Sequence, residues 1–122
     1  MSRYGPRIAA LERRAERERR AVADGLVEPS PEGAPAYLRD GAGQAIWCYV
    51  EARTGGRLVA LSAAEFEALE RAMNRWLECY TRCYGVDLEA EFTVRVAAEL
   101  LLETQNVDDV GQILTGVPER SA

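Results

Sequence analysis

The sequence predicts a mainly helical α+β domain: two to three core helices packed on a small antiparallel β-hairpin or meander, with a separate arginine-rich N-terminal helix. Three observations lead there. Apolar side chains recur in alternating steps of three and four from Phe66 to Cys83, the pattern of an amphipathic helix. A run of strand-forming residues, Ile46-Trp47-Cys48-Tyr49-Val50, lies between two glycine-containing turn signals. A proline- and glycine-rich stretch divides the first charged segment from the rest.

Residues 7–24 read as the first helix. Ile8, Leu11, Ala15 and Val22 form a thin apolar stripe that Glu18 interrupts, and the rest is mostly Arg, Glu and Ala. Pairs such as Glu16–Arg20 add about 0.2–0.5 kcal/mol each. A helix so poor in apolar surface needs a partner to fix it. Pro6 and Gly25 fit its start and stop. Pro29, Ser30, Pro31, Gly33 and Pro35 then mark a loop. The organisation expected is a charged helix over 1–25, a Pro/Gly loop over 26–36, and a globular α+β core over 37–122.

Within that core, Asp40-Gly41 and Thr54-Gly55-Gly56 are turn signals flanking a strand over Gln44–Ala52. Ile46, Cys48 and Val50 would face one side of it and Trp47, Tyr49 and Glu51 the other, with Arg57–Leu61 as its hairpin partner. Residues 63–84 form the strongest helix signal. Ser62 and Glu65 make a capping box, and Phe66, Leu69, Met73, Trp76, Tyr80 and Cys83 line one stripe. Gly85 supplies the left-handed position beyond its end. Asp87 is read as the cap of a helix over 88–105 whose apolar face carries Phe92, Val96, Leu100 and Leu101. Asn106 caps a last helix over 107–114, with Val110, Ile113 and Leu114 inward, before Gly116 and Pro118 stop it.

Composition narrows the function classes. A chain of 122 residues with 48% hydrophobic content suits one domain with one core. No apolar run approaches the roughly 18 residues of a bilayer span, and Met1-Ser2-Arg3-Tyr4-Gly5-Pro6 has no apolar signal region. No membrane association and a cytoplasmic location are therefore expected. Histidine is absent, which removes the usual neutral-pH base and the commonest metal ligand. All 15 basic residues are arginine, so lysine Schiff-base chemistry and a P-loop are excluded. The net charge of −5 is unevenly shared: residues 1–20 carry seven Arg and three Glu, and the remainder eight Arg and 17 acids. A basic arm on an acidic body points to contact with its own body, a second copy, or an external anion.

Five constellations of residues bear on chemistry or binding. Residues 96–117 resemble the first two-thirds of a helix-turn-helix, but no third helix follows to enter a major groove. Glu99, Glu103, Asp108 and Asp109 would also face the phosphates; as a catalytic or Mg²⁺ set, the same acids are better read as a solvated face. Arg13, Arg14, Arg17, Arg19 and Arg20 would contact phosphates or a protein partner, although Glu12, Glu16 and Glu18 are interleaved. Cys79 and Cys83 lie at i,i+4, and Cys48 would make a third ligand, but no histidine completes a zinc site. Three cysteines, an odd number without an export signal, are expected to be reduced core thiols. Gly41-Ala42-Gly43 is too short for a dinucleotide fingerprint, with Ile46 where the third glycine would stand.

The leading expectation is a non-enzymatic interaction, assembly or regulatory adaptor protein with no catalytic residues, no cofactor and no metal. It would act through a protein partner or as a homodimer or higher assembly. The five arginines would make partner contacts. Trp47, Tyr49, Phe66, Leu69, Met73, Trp76 and Tyr80 would form an interface, because their apolar surface exceeds what one small domain shelters. The alternative is a nucleic-acid-associated accessory factor, a regulator or packaging-type protein using those arginines, or an acidic body that imitates nucleic acid. A third class is a ligand pocket between Trp47, Tyr49, Trp76 and Tyr80, with Arg57, Arg75 or Arg82 holding an anion.

Overall fold

A computed structural model describes residues 3–54 and 61–119, and every regular element in them is helical. No strand or sheet occurs among the described residues, which corrects the α+β expectation. The order is α1 (Gly5–Ala23), a 3₁₀ turn (Pro31–Gly33), α2 (Ala34–Tyr37), a turn of π-helix (Leu38–Ala42), α3 (Gly43–Thr54), α4 (Ala63–Arg82), α5 (Val94–Thr104) and α6 (Val107–Thr115). No helix is long and apolar enough to cross a membrane among these residues.

The expected strand is α3. Its buried positions run almost all round: Gly43, Ala45, Ile46, Cys48, Tyr49, Val50 and Ala52. A helix apolar on every side carries no amphipathic signal, and a short apolar run cannot be told from a buried strand by periodicity. Gln44, Trp47, Glu51 and Thr54 reach solvent in steps of three and four, and Arg53 joins them at the C-terminal end. The Asp40-Gly41 turn is instead part of the π turn that leads into α3. The Gly55-Gly56 turn and all but Leu61 of the Arg57–Leu61 partner strand lie outside the described residues.

α4 is the hub and packs against the other five helices and the π turn. Its start matches expectation: Ser62 Oγ accepts from the Glu65 amide at 3.1 Å, and Glu65 Oε1 accepts from the Ser62 amide at 2.9 Å. Gly85, at φ +76°, turns the chain away after its end. Its apolar stripe is sealed inside this single chain. Leu69, Met73 and Trp76 are 0% exposed and Tyr80 3%.

Much of that cover comes from α1, which is not a separate arm. Ile8, Leu11, Ala15 and Val22 of the expected stripe are all buried, and α1 lies along α4. Three contacts fix the register: Arg71 to Glu12, Arg75 to Glu16, and Arg19 to Glu78. Each joins residues 59 apart in sequence, so the two helices run side by side in the same direction.

The other end of the Trp76 ring meets the π turn. A Cβ on Gly41 would come 2.6 Å from Cγ and Cδ1 of Trp76. On its face the ring carries the Arg14 guanidinium, 5.0 Å from the centroid, and Arg14 also donates to the Asp40 carbonyl. Side-chain caps set the last two helices. Thr93 Oγ1 accepts from the Val96 amide at 3.2 Å, and Asn106 Oδ1 accepts from the Asp108 amide at 2.9 Å. α5 therefore starts at Val94, not after Asp87, and it buries Val94, Ala97, Ala98 and Leu101 while Val96 is exposed. In α6, Val110 is buried, Leu114 is partly buried, and Ile113 is exposed.

Gly41→Ala tests the ring contact by direction alone. A glycine-to-alanine change inside a helix ordinarily stabilises by about 0.5–1 kcal/mol. Here the new methyl has no room against a sealed ring, and destabilisation of about 1–3 kcal/mol is expected in urea unfolding. A midpoint equal to or above wild type would contradict this packing.

Candidate functional site

The α1–α4 seam sorts the arginines of α1 into two groups. Arg19 Nε donates to Glu78 Oε1 at 3.0 Å, and Arg14 pairs with Glu18 at 3.0 Å while stacking on Trp76. These two are structural. Arg13, Arg17 and Arg20 are exposed, with no hydrogen-bond or ion-pair partner among the described residues. Their spacing of four and three places them on one outward stripe.

The acids interleaved with them are all engaged. Glu12 takes Arg71 at 2.7 Å, Glu16 takes Arg75 at 3.2 Å and Glu18 takes Arg14. The outer stripe therefore keeps its positive charge. It borders a groove of about 540 Å³ that also includes Ala21, Asp24 and Leu26. Leu26 is 79% exposed.

Across the seam lies a cleft of about 630 Å³ between α4 and the extended segment after it, lined by Arg19, Arg71, Arg75 and Asn74 together with five acids. Two buried polar side chains of α4 hold that segment down. Asn74 Nδ2 donates to the Phe92 carbonyl at 2.9 Å, and its Oδ1 accepts from the Phe92 amide at 3.0 Å. Glu78 Oε2 accepts from the Ala90 amide at 3.0 Å, while Arg19 and Arg75 hold its other oxygen. These contacts satisfy the backbone of 90–92 from the side, which is why the helix expected from residue 88 does not form there. Asp87 pairs instead with Arg82 at 3.5 Å. Of the acids in the cleft, Glu67, Glu89 and Glu91 are exposed with no ion-pair partner among the described residues. One oxygen of Glu70 is shut away from solvent with no hydrogen-bond donor.

The other candidates do not converge. The expected interface residues Leu69, Met73, Trp76 and Tyr80, with Tyr49 at 7%, are inside the chain; Phe66 is partly buried against the Tyr49 ring, and Trp47 alone is 46% exposed. The four aromatics of the expected ligand pocket are thus split between core and surface. Of its anion-holding arginines, Arg75 and Arg82 are ion-paired and Arg57 lies outside the described residues. No group of three or more His, Cys, Asp or Glu among the described residues is placed to hold a metal ion. Cys48, Cys79 and Cys83 are free and buried, and burial pushes all three thiols up, Cys79 to about 12. Asp108 pairs with Arg39 at 2.6 Å and Glu99 with Arg95 at 3.6 Å, away from one another's chemistry. α5 and α6 make a hairpin with no following helix among the described residues.

The seam has a signal in the sequence that composition alone hides. Glu12, Glu16 and Arg19 share the spacing of Arg71, Arg75 and Glu78, with every charge reversed. Asn74 and Glu78 have a weaker one, as polar residues beside an apolar stripe.

A family model described as a domain of unknown function (DUF8055) matches residues 2–119. Comparison with curated proteins finds no match, and comparison with solved structures finds none.

Asn74→Ala removes both bonds to Phe92, and a loss of about 1–3 kcal/mol is expected, with faster hydrogen exchange at the Phe92 and Ala90 amides. Unchanged exchange there would remove Asn74 as the anchor. Alkylation should spare all three thiols in the native protein and reach them in denaturant. Because the folded Cys79 thiol titrates near 12 and an unfolded thiol near 9, the native state holds the extra proton between those values. Stability is expected to fall as pH rises from about 9 toward 12, with Cys79→Ser reducing the slope.

Proposed function

The chain belongs to the DUF8055 family of domains of unknown function, and we propose that it is a non-enzymatic interaction protein that docks an acidic protein surface on the outer face of α1. The observation that carries this reading is the fate of the interleaved acids. Glu12, Glu16 and Glu18 each face an arginine within the fold, so they do not neutralise Arg13, Arg17 and Arg20. Three guanidinium groups then stand in line beside an exposed leucine. Arginine forks suit carboxylates, and an apolar rim residue gives a protein partner surface to bury.

A nucleic-acid role for the same stripe is the second reading, and phosphate contact by Arg13, Arg17 and Arg20 is what favours it. Two features favour protein instead. The acids of the neighbouring cleft would repel a phosphate backbone, and no exposed aromatic lines the groove to stack a base.

The test compares wild type with R13E/R17E/R20E on immobilised polyglutamate and on duplex DNA across a salt series. Retention on polyglutamate at low salt, at least tenfold weaker in the variant, is expected. Wild type that ignores polyglutamate would end the proposal. Tighter, stripe-dependent retention on DNA would replace it with the nucleic-acid reading.

A further inference from the structure

Two adjoining surfaces of the molecule carry the two halves of an ionic interface. The stripe and the cleft are not on opposite sides: Glu12 and Glu16 line the groove beside the stripe, and their partners Arg71 and Arg75 line the cleft. The ion pairs of the α1–α4 seam lie between them. On one flank stand Arg13, Arg17 and Arg20, three bases without ion-pair partners among the described residues, with Asp24 at the end of the groove. On the other stand Glu67, Glu89 and Glu91, which lack bases, with a Glu70 oxygen that has no donor.

A positive strip beside a negative one is complementary to itself after a two-fold rotation. We infer that the docking partner of the α1 stripe is a second copy of this chain, whose cleft acids between α4 and the following segment receive Arg13, Arg17 and Arg20 while its own stripe fills the first cleft. This rests on the reading that the stripe engages an acidic protein surface, and it names that surface. The cleft holds about 630 Å³, within the range of pockets that receive whole side chains. The arginine stripe spans about 10 Å along α1. The contact is reciprocal, so each arginine–carboxylate pairing is made twice.

Other surfaces of the molecule suit such a contact less well. The apolar stripe of α4 is closed inside the chain, so dimerisation through Met73 or Trp76 is not available. Trp47 is exposed, but its neighbours on the outward side of α3, Gln44 and Glu51, offer no matching apolar surface. The cavity beside Tyr80 and Tyr84 is smaller, about 220 Å³, and its Asp108 already pairs with Arg39.

A charge-swap experiment decides. One variant is R13E/R17E/R20E and the other E67R/E89R/E91R; all six positions are exposed, and circular dichroism with an R13Q/R17Q/R20Q variant checks that loss of charge and not of fold is being read. Light scattering is run near 0.01 M salt, where the Debye length is about 30 Å, and near 1 M, where it is about 3 Å. Wild type is expected at dimer mass in low salt and monomer mass in high salt. Each charge-reversed variant alone has two like-charged flanks and is expected to remain monomeric. An equimolar mixture restores opposite charges across both contacts and is expected to return to dimer mass. Monomeric wild type in low salt, or a mixture no heavier than its components, would overturn the inference. If polyglutamate still binds the stripe in that case, the interaction reading stands with another partner; if it does not, both fall.

Discussion

Trp76 fixes the shape of this molecule because a ring of that size must be covered on every side. One edge lies against the backbone at Gly41, where no Cβ fits, and the face takes the guanidinium of Arg14. Those two contacts come from different parts of the chain, the π turn and α1. Burying such a side chain is worth a few kcal/mol, more than any exposed ion pair in the seam. The ring therefore sets where α1 and the turn must lie, and the ion pairs select the register in which they lie there. A register slipped by one turn of either helix would set Glu12 and Glu16 against different partners and take Arg19 from Glu78, leaving that buried carboxylate with Arg75 of its own helix.

How legible this was depends on whether the decisive residue is polar or apolar. α4 and α6 were readable because their ends are marked by Ser62, Glu65 and Asn106, whose side chains bond their own helix. The inward stripe of α1 was readable too. α3 was not, since burial on nearly all sides erases the alternation that separates helix from strand, and its β-branched and aromatic residues favour the wrong choice. The true mark is the sequence of exposed positions Gln44, Trp47, Glu51 and Thr54 in steps of three and four, three of them polar. The start of α5 failed for a different reason. Residues 88–93 have helix-compatible composition, but Asn74 and Glu78 reach across from α4 and take their backbone groups. Tertiary competition of that sort is not encoded locally. Of the candidate site, the three outward arginines were named in sequence along with two that prove to be structural, while the acidic cleft was not foreseen.

The seam also changes what the charge pattern means. Read linearly, residues 1–20 make a basic helix of seven Arg and three Glu whose acids are expected to pair along the helix itself, as Glu16 with Arg20. In the fold only Glu18 does so, by pairing with Arg14. Glu12 and Glu16 look inward to α4, and Arg19 follows them to Glu78. Positions at a spacing of four and three recur on both helices, which is the arrangement that lets flanking charges of neighbouring helices meet. Cancellation therefore happens across the seam, and what remains outside it is segregated.

Segregation has a consequence for an acidic protein. With a net charge of −5, two copies repel at long range, and any attraction between them must come from local order in the charges. A uniform acidic surface has none. This one does, because pairing α1 with α4 engages Glu12, Glu16 and Glu18 on one flank and Arg71 and Arg75 on the other, leaving unpaired arginines on the first and unpaired glutamates on the second. Salt acts in opposite directions on the two effects, weakening distant repulsion first and close pairing only when the Debye length nears contact distance. Association through this face in dilute salt then requires the contact pairs to outweigh the unscreened net repulsion, and it is lost once the Debye length nears contact distance.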